Sequence, residues 1–268
     1  INPPLLQAMP NLQFVSSVSV GVDHIDVEAL TRRSIPVGNT PGVLVDTTAD
    51  AAFALLLAAA RRVAEGDRYI RDGQWHPETR WSPEFFLGKD VSGGTLGIIG
   101  LGAIGQAVAR RAAGFNMKVI GWTPSGREVP GVDGVSLEEL LLRSDFVSVH
   151  LALAPQTHNL LDAAKIATMK PGAVLVNTAR GGIVDESALA AALDSGHLYA
   201  AGLDVFEREP IEASNPLLQH PRVVVVPHIG SATTLTRAKM VDIAVNNAAS
   251  ALLGQPMPHC VNPEVYAA

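Results

Sequence analysis

A guanidinium, a carboxylate and an imidazole each stand just past a short apolar run in this 268-residue chain. Arg180 closes AVLVNTAR (173–180), Glu209 falls in YAAGLDVFEREP (199–210), and His228 falls in VVVVPHIG (223–230). If these runs are neighbouring strands of one parallel sheet, all three groups arrive at its carboxyl edge, where open α/β sheets bind ligands. A cation, a base and an acid gathered there are the parts needed to hold an oxo-acid and protonate its carbonyl. Taken singly, each also has an ordinary reading. His228 suits a buried histidine with its hydrogen bonds met, Glu209 a solvated loop acid, and Arg180 a partner in a sheet-edge ion pair.

A second constellation lies upstream. TLGIIGLGAIGQAVARR (95–111) reads as a strand, a G-x-G-x-x-G turn and a helix. Gly100 permits the tight turn, Gly102 lets backbone approach a pyrophosphate, and Gly105 lets the helix pack closely on the strand. The amides of Ala103 and Ile104 then face the phosphates at the helix N-terminus. A bare glycine match is weak; the flanking strand and helix supply its specificity. The next strand, KVIGW (118–122), ends where an NAD-specific site wants Asp or Glu on the ribose hydroxyls, and WTPSGR reads on from Trp122 instead. A carboxylate about 4 Å from a 2′-phosphate costs about 1–4 kcal/mol per unit charge. Its absence, with Thr123, Ser125 and Arg127 in its place, predicts NADPH as cofactor and NADH as the alternative. Arg127 can fork onto the phosphate; the plainer reading leaves it a solvated loop residue.

These groups need a scaffold, and the chain alternates short β-like runs with helical stretches, the α/β signature. Strands are expected at 12–18, 96–100, 118–122, 146–151, 173–177, 199–203 and 223–226. They read as continuous apolar runs, which suits a doubly wound parallel sheet covered on both faces. Helices are expected at 103–113, 136–143, 162–168, 185–195 and about 233–253. Ser136 with Glu139 forms a capping-box pattern, Asp162 and Asp185 are N-cap candidates, and Gly254 with Pro256 ends the last helix. Residues 46–233 are therefore expected to form a dinucleotide-binding Rossmann domain. Residues 1–45 and 234–268 are expected to form a second, smaller α/β substrate domain that looks N-terminally incomplete, because small cores bury too little surface.

Composition narrows the classes. The chain is 47% hydrophobic and 17% charged, which supports a buried core and argues against disorder. A net charge of −6 with no Lys/Arg run argues against nucleic-acid or membrane-surface partners. The apolar AAFALLLAAARR (51–62) is too short to span a bilayer. One cysteine, Cys260, forms no intrachain disulfide and suits a reducing cytoplasm.

In combination the segments SVGVDHID (19–26), TPGVLVDTTAD (40–50), GTLGIIGLGAIGQ (94–106), VNTARGGIVDE (176–186), AGLDVFEREP (201–210) and PHIGSAT (227–233) carry a resemblance. Over nearly its whole length the chain resembles the D-isomer-specific 2-hydroxyacid dehydrogenases. WTPSGR, PHIGSATTLTR (227–237) and GQPMP (254–258) point to the glyoxylate/hydroxypyruvate reductase branch. The resemblance implies that His228 protonates the carbonyl as hydride arrives, that Glu209 holds the far imidazole nitrogen, and that Arg180 grips the substrate carboxylate. It implies that Val20 and Gly21 offer amides to that carboxylate and that Asp204 accepts from the nicotinamide carboxamide. Thr178 and Ala152 should line the cofactor cleft, and Gly230 should let the cofactor approach. Ala152 departs from the proline of many relatives, and His24 reads as structural. The family also implies residues ahead of Ile1 and a homodimer built from a helix at 47–65 and the aromatic loop QWHPETRWSPEFF (74–86). Trp75, Trp81, Phe85 and Phe86 are many apolar rings for an uncovered loop, though packing within one subunit would also hide them. Phosphoglycerate, lactate or formate dehydrogenases of the same family, and non-catalytic redox-sensing corepressors that resemble it, remain as alternatives.

Overall fold

A computed structural model describes residues 1–79 and 81–267; Arg80, in the aromatic loop, and Ala268, the last residue of the second domain's segment, lie outside the described residues. The chain divides into two compact units, Ile1–Thr47 with Ser231–Ala268, and Thr48–Gly230. It opens with α1 (Pro3–Ala8), β1 (Val15–Ser16), α2 (Val27–Arg32) and β2 (Val37–Gly38). Next come α3 (Val45–Ala60), α4 (Val63–Arg71), β3 (Thr95–Ile99), α5 (Ala103–Ala112), β4 (Lys118–Trp122) and β5 (Asp133–Gly134). Then follow α6 (Leu137–Arg143), β6 (Phe146–Val149), α7 (Ala163–Thr168), β7 (Val174–Asn177) and α8 (Glu186–Asp194). The chain finishes with β8 (Ala200–Leu203), β9 (Val223–Val225) and α9 (Thr234–Leu252).

The larger unit is built on a seven-stranded sheet in the order β5-β4-β3-β6-β7-β8-β9, with every pairing parallel. All residues of β6, β7 and β8 are buried, as a sheet covered by helices on both faces requires. The chain leaves β3 to one side and returns as β6 on the other, so the turn after β3 sits at the topological switch point. The helices expected after Ser136, Asp162 and Asp185 start there. Asp162 accepts from the Lys165 amide at 2.9 Å and Asp185 from the Ala188 amide at 2.9 Å. Ser136 accepts from the Glu139 amide at 3.1 Å, but Glu139 pairs with Arg143 one turn on, so only half of the expected capping box forms.

Two expectations need correction. The helix expected at 47–65 is two helices, because Arg62 turns left-handed at φ 56°. There the Ala60 carbonyl accepts from the Lys89 amide at 2.8 Å, and the Arg62 guanidinium holds Glu65 at 2.7 Å and lies 4.4 Å over the Phe86 ring. The strand expected at 12–18 shrinks to Val15–Ser16, since its partner β2 offers two residues, Val37 and Gly38. In this smaller unit Leu6, Ile25, Leu30, Ile35 and Val37 form the core. The buried Asn262 side chain accepts from the Val37 amide at 2.8 Å and donates to the Ile35 carbonyl at 3.0 Å, satisfying backbone that so short a sheet leaves unpaired. Among the described residues no helix is long and apolar enough to cross a membrane.

Candidate active site

The turn between β3 and α5 is shaped by three glycines with different tasks. Gly100 has φ +103°, and a Cβ there would lie 2.6 Å from the His150 carbonyl oxygen. A Cβ at Gly105 would lie 2.0 Å from the Gly100 carbonyl oxygen, so helix and strand can meet only without one. At Gly102 an added Cβ meets nothing within 4 Å, and no side chain caps the helix that begins there. Packing therefore demands the outer two glycines, while the middle one fronts open space with the Ala103 and Ile104 amides at a helix N-terminus. That cradle fits a pyrophosphate. Thr178, just past β7, carries a buried hydroxyl without a protein partner, a further group suited to a bound ligand. Thr123 and Ser125 lie beyond β4 with their hydroxyls 3.4 Å apart, and Arg127 is exposed after them. Ala152 is exposed past β6, and its carbonyl accepts from the Thr157 hydroxyl at 2.7 Å.

Arg180, Glu209 and His228 follow β7, β8 and β9, three consecutive neighbours in the sheet. His228 Nδ1 and Glu209 Oε2 are 2.8 Å apart. An ionised carboxylate only accepts, so the hydrogen-bond network assigns the proton to Nδ1 and leaves Nε2 as the outer nitrogen. The other Glu209 oxygen accepts from the Phe206 amide at 3.1 Å, which fixes the carboxylate from its own loop. His228 itself is left-handed, at φ 52°. Asp204 braces that turn: one oxygen accepts from the Ile229 amide at 2.5 Å and the other from the Gly230 amide at 2.8 Å. A Cβ on Gly230 would sit 2.9 Å from the Asp204 carboxylate, so this glycine is already needed for protein packing. Burial pushes the Asp204 carboxyl up from its ordinary value, against the pull of the two amides. Desolvation also pushes His150, 2.8 Å from the Ser148 hydroxyl, down to about 4.

Arg180 Nη1 donates to the Ala179 carbonyl at 2.8 Å. Its backbone is held by Asn177, whose side chain accepts from the Ala179 amide at 3.0 Å and donates to the Arg180 carbonyl at 2.9 Å. A Cβ on Gly181 would fall 1.8 Å from the Phe206 carbonyl carbon, so the loops bearing Arg180 and Glu209 touch backbone to backbone. Sequence reasoning passed over Asn177 and Gly181. An Asn ending an apolar run, with Thr-Ala and then Arg-Gly-Gly after it, is the available signal for a side-chain-closed turn.

Val20 and Gly21 belong to the smaller unit. Their carbonyls are engaged there, Val20 by the Asn39 side chain at 2.9 Å and Gly21 by the Ser19 hydroxyl at 2.8 Å. His24 is exposed in the following turn. Among the described residues no group of three His, Cys, Asp or Glu side chains is placed to hold a metal ion.

Residues 53–230 match the family model for the D-isomer specific 2-hydroxyacid dehydrogenase, NAD binding domain. The chain belongs to the D-isomer-specific 2-hydroxyacid dehydrogenases. It is 48% identical to a glyoxylate reductase of Korarchaeum cryptofilum, over 99% of this chain and 80% of that one. It is 46% identical to glyoxylate/hydroxypyruvate reductase B of Citrobacter koseri, over 99% of this chain and 82% of that one. Among solved structures it superposes on an NADPH-dependent glyoxylate/hydroxypyruvate reductase of Sinorhizobium meliloti, in complex with NADP and malonate. That match has a TM-score of 0.90 and 34% identity, covering 98% of this chain and 81% of that one. As a D-2-hydroxyacid dehydrogenase the chain is an oxidoreductase whose Rossmann-type domain serves a nicotinamide dinucleotide.

Proposed function

We propose that this chain reduces a small 2-oxo acid, glyoxylate or hydroxypyruvate, to the 2-hydroxy acid with NADPH. The observation that carries the reading is the 2.8 Å His228–Glu209 pair, on strand tips next to the one bearing Arg180. The names of the Korarchaeum, Citrobacter and Sinorhizobium relatives favour the same substrates.

When bound, the dihydronicotinamide supplies a hydride to the carbonyl carbon. His228 gives the Nε2 proton of its charged ring to the carbonyl oxygen, and the ring returns to neutral with Nδ1–H still held by Glu209. Positioned acid catalysis of this kind contributes about 10²–10⁴ in rate. Arg180 holds the substrate carboxylate with a planar, permanently charged fork and polarises the carbonyl. The Ala103 and Ile104 amides take the pyrophosphate; Ala152, Thr178 and Gly230 line the dinucleotide. Asp204 accepts from the carboxamide while it braces the His228 turn. Thr123, Ser125 and Arg127 receive the 2′-phosphate in the absence of a repelling carboxylate.

The protein is a homodimer of the cytoplasm in this reading, joined through the helical stretch 47–65, which spans most of α3 and the start of α4, and the aromatic loop. Tyr69 meets Phe85 and Phe86 edge-to-face and the two phenylalanines tilt against each other, at 5.0–5.8 Å within one copy; with Gly66, Ile70 and Trp75 the three rings line an apolar concavity. Trp81 is left 77% exposed.

Loss of NADPH absorbance with glyoxylate or hydroxypyruvate tests the activity. Tight NADPH binding without turnover would favour a redox-sensing binding protein instead. Arg127→Ala should lower kcat/KM with NADPH about tenfold and leave the NADH value nearly unchanged, as expected for one charge-assisted contact to the phosphate. Equal losses with both cofactors would dismiss that role for Arg127.

A further inference from the structure

We infer that Asn177 is a positioning residue that sets the aim of Arg180. The inference rests on the proposed role of Arg180 in gripping the substrate carboxylate. Asn177 ends β7, 1% exposed, and is locked in register opposite Leu203 of β8. Its own carbonyl accepts from the Asp204 amide at 3.0 Å, so its backbone belongs to the rigid sheet.

The side chain then reaches forward instead of into the core. Oδ1 takes the Ala179 amide at 3.0 Å and Nδ2 gives to the Arg180 carbonyl at 2.9 Å. Both functions of the amide are spent on the short stretch that carries the guanidinium. The guanidinium in turn donates to the Ala179 carbonyl at 2.8 Å, so the peptide that Asn177 holds by its N–H is followed within one residue by the carbonyl that orients Arg180. On the far side the turn has no slack, because Gly181 abuts the Phe206–Glu207 backbone. Arg180 is thus fixed between a sheet residue and the loop of Glu209. An Asn is needed because one terminal group must accept while the other donates. Asp retains the acceptor but turns a second acceptor on the Arg180 carbonyl, and Ser reaches neither partner in the same way.

The test uses the full chain. Steady-state kinetics with glyoxylate and NADPH, and NADPH binding by fluorescence, are measured for Asn177→Ser, the same-sized Asn177→Asp, Arg180→Ala, and each Asn177 variant combined with Arg180→Ala. Each Asn177 variant should lower kcat/KM about tenfold or more, mainly through KM, with NADPH affinity kept within about twofold. In the Arg180→Ala background the same substitution should change kcat/KM by less than about twofold, because its target is gone. A loss of equal size in both backgrounds, or NADPH affinity falling in step with KM, would overturn the inference. Asn177→Asp decides the matter if Asn177→Ser does not fold. An Arg180→Ala enzyme with unaltered kcat/KM would remove the reading of Arg180 itself, and this inference with it.

Discussion

His228 occupies a left-handed backbone conformation that costs a non-glycine residue about 1–3 kcal/mol. Two amide hydrogen bonds to the buried Asp204 carboxylate, of a kind worth about 1.5–3 kcal/mol each, offset that cost and hold the ring on Glu209. His228→Ala should therefore lower kcat about 10²–10⁴-fold while leaving NADPH affinity nearly intact. Stopped-flow reduction alongside binding isotherms separates the two, and parallel losses would argue for a structural histidine. His150 makes a different prediction. Its imidazole is held down from 6.5 to about 4, so the folded state favours the neutral ring. That contribution is fully present above pH 6.5 and is lost as pH falls through about 4. It amounts to at most about 3 kcal/mol, less because part of the residue remains accessible. Urea melts between pH 7 and pH 4 should show a steeper loss for the native protein than for His150→Gln. Identical slopes would show that another group carries the acid sensitivity.

The β3–α5 turn separates folding from ligand binding within a few residues. Gly105→Ala forces a Cβ to within 2.0 Å of a backbone oxygen, whereas Gly102→Ala places one in open space at φ −68°, a conformation alanine accepts. Gly105→Ala should cost about 1–3 kcal/mol or more and lower Tm. Gly102→Ala should keep Tm without cofactor yet weaken dinucleotide binding, because its methyl occupies the space the pyrophosphate needs. Calorimetry with and without NADPH reads both effects, and a Gly102→Ala protein with native affinity would move the phosphate site elsewhere. The strands carrying Arg180, Glu209 and His228 were legible because buried parallel strands are uninterrupted apolar runs. The break at Arg62 was not. It depends on the Lys89 amide and the Phe86 ring arriving from more than twenty residues away, and no local pattern announces them.

For the molecule as a whole, the aromatic loop decides a prediction about assembly. Trp75 and Trp81 are 57% and 77% exposed in a single copy, so replacing them should not disturb its core. Sedimentation should show a dimer for the native chain and a monomer with unchanged secondary structure for Trp75→Asp with Trp81→Asp. A native monomer at high concentration would refute this interface. By itself the sequence determined the α/β class, the parallel sheet, the helix caps at Ser136, Asp162 and Asp185, and which strand tips carry ionisable side chains. All of these follow from local apolar periodicity, turn chemistry and residue type. Tertiary structure alone decided that Glu209 meets His228, that Asp204 braces the His228 turn, and that Gly181 must lack a side chain. Those contacts join strand ends far apart in the chain, and their geometry exists only once β7, β8 and β9 lie side by side.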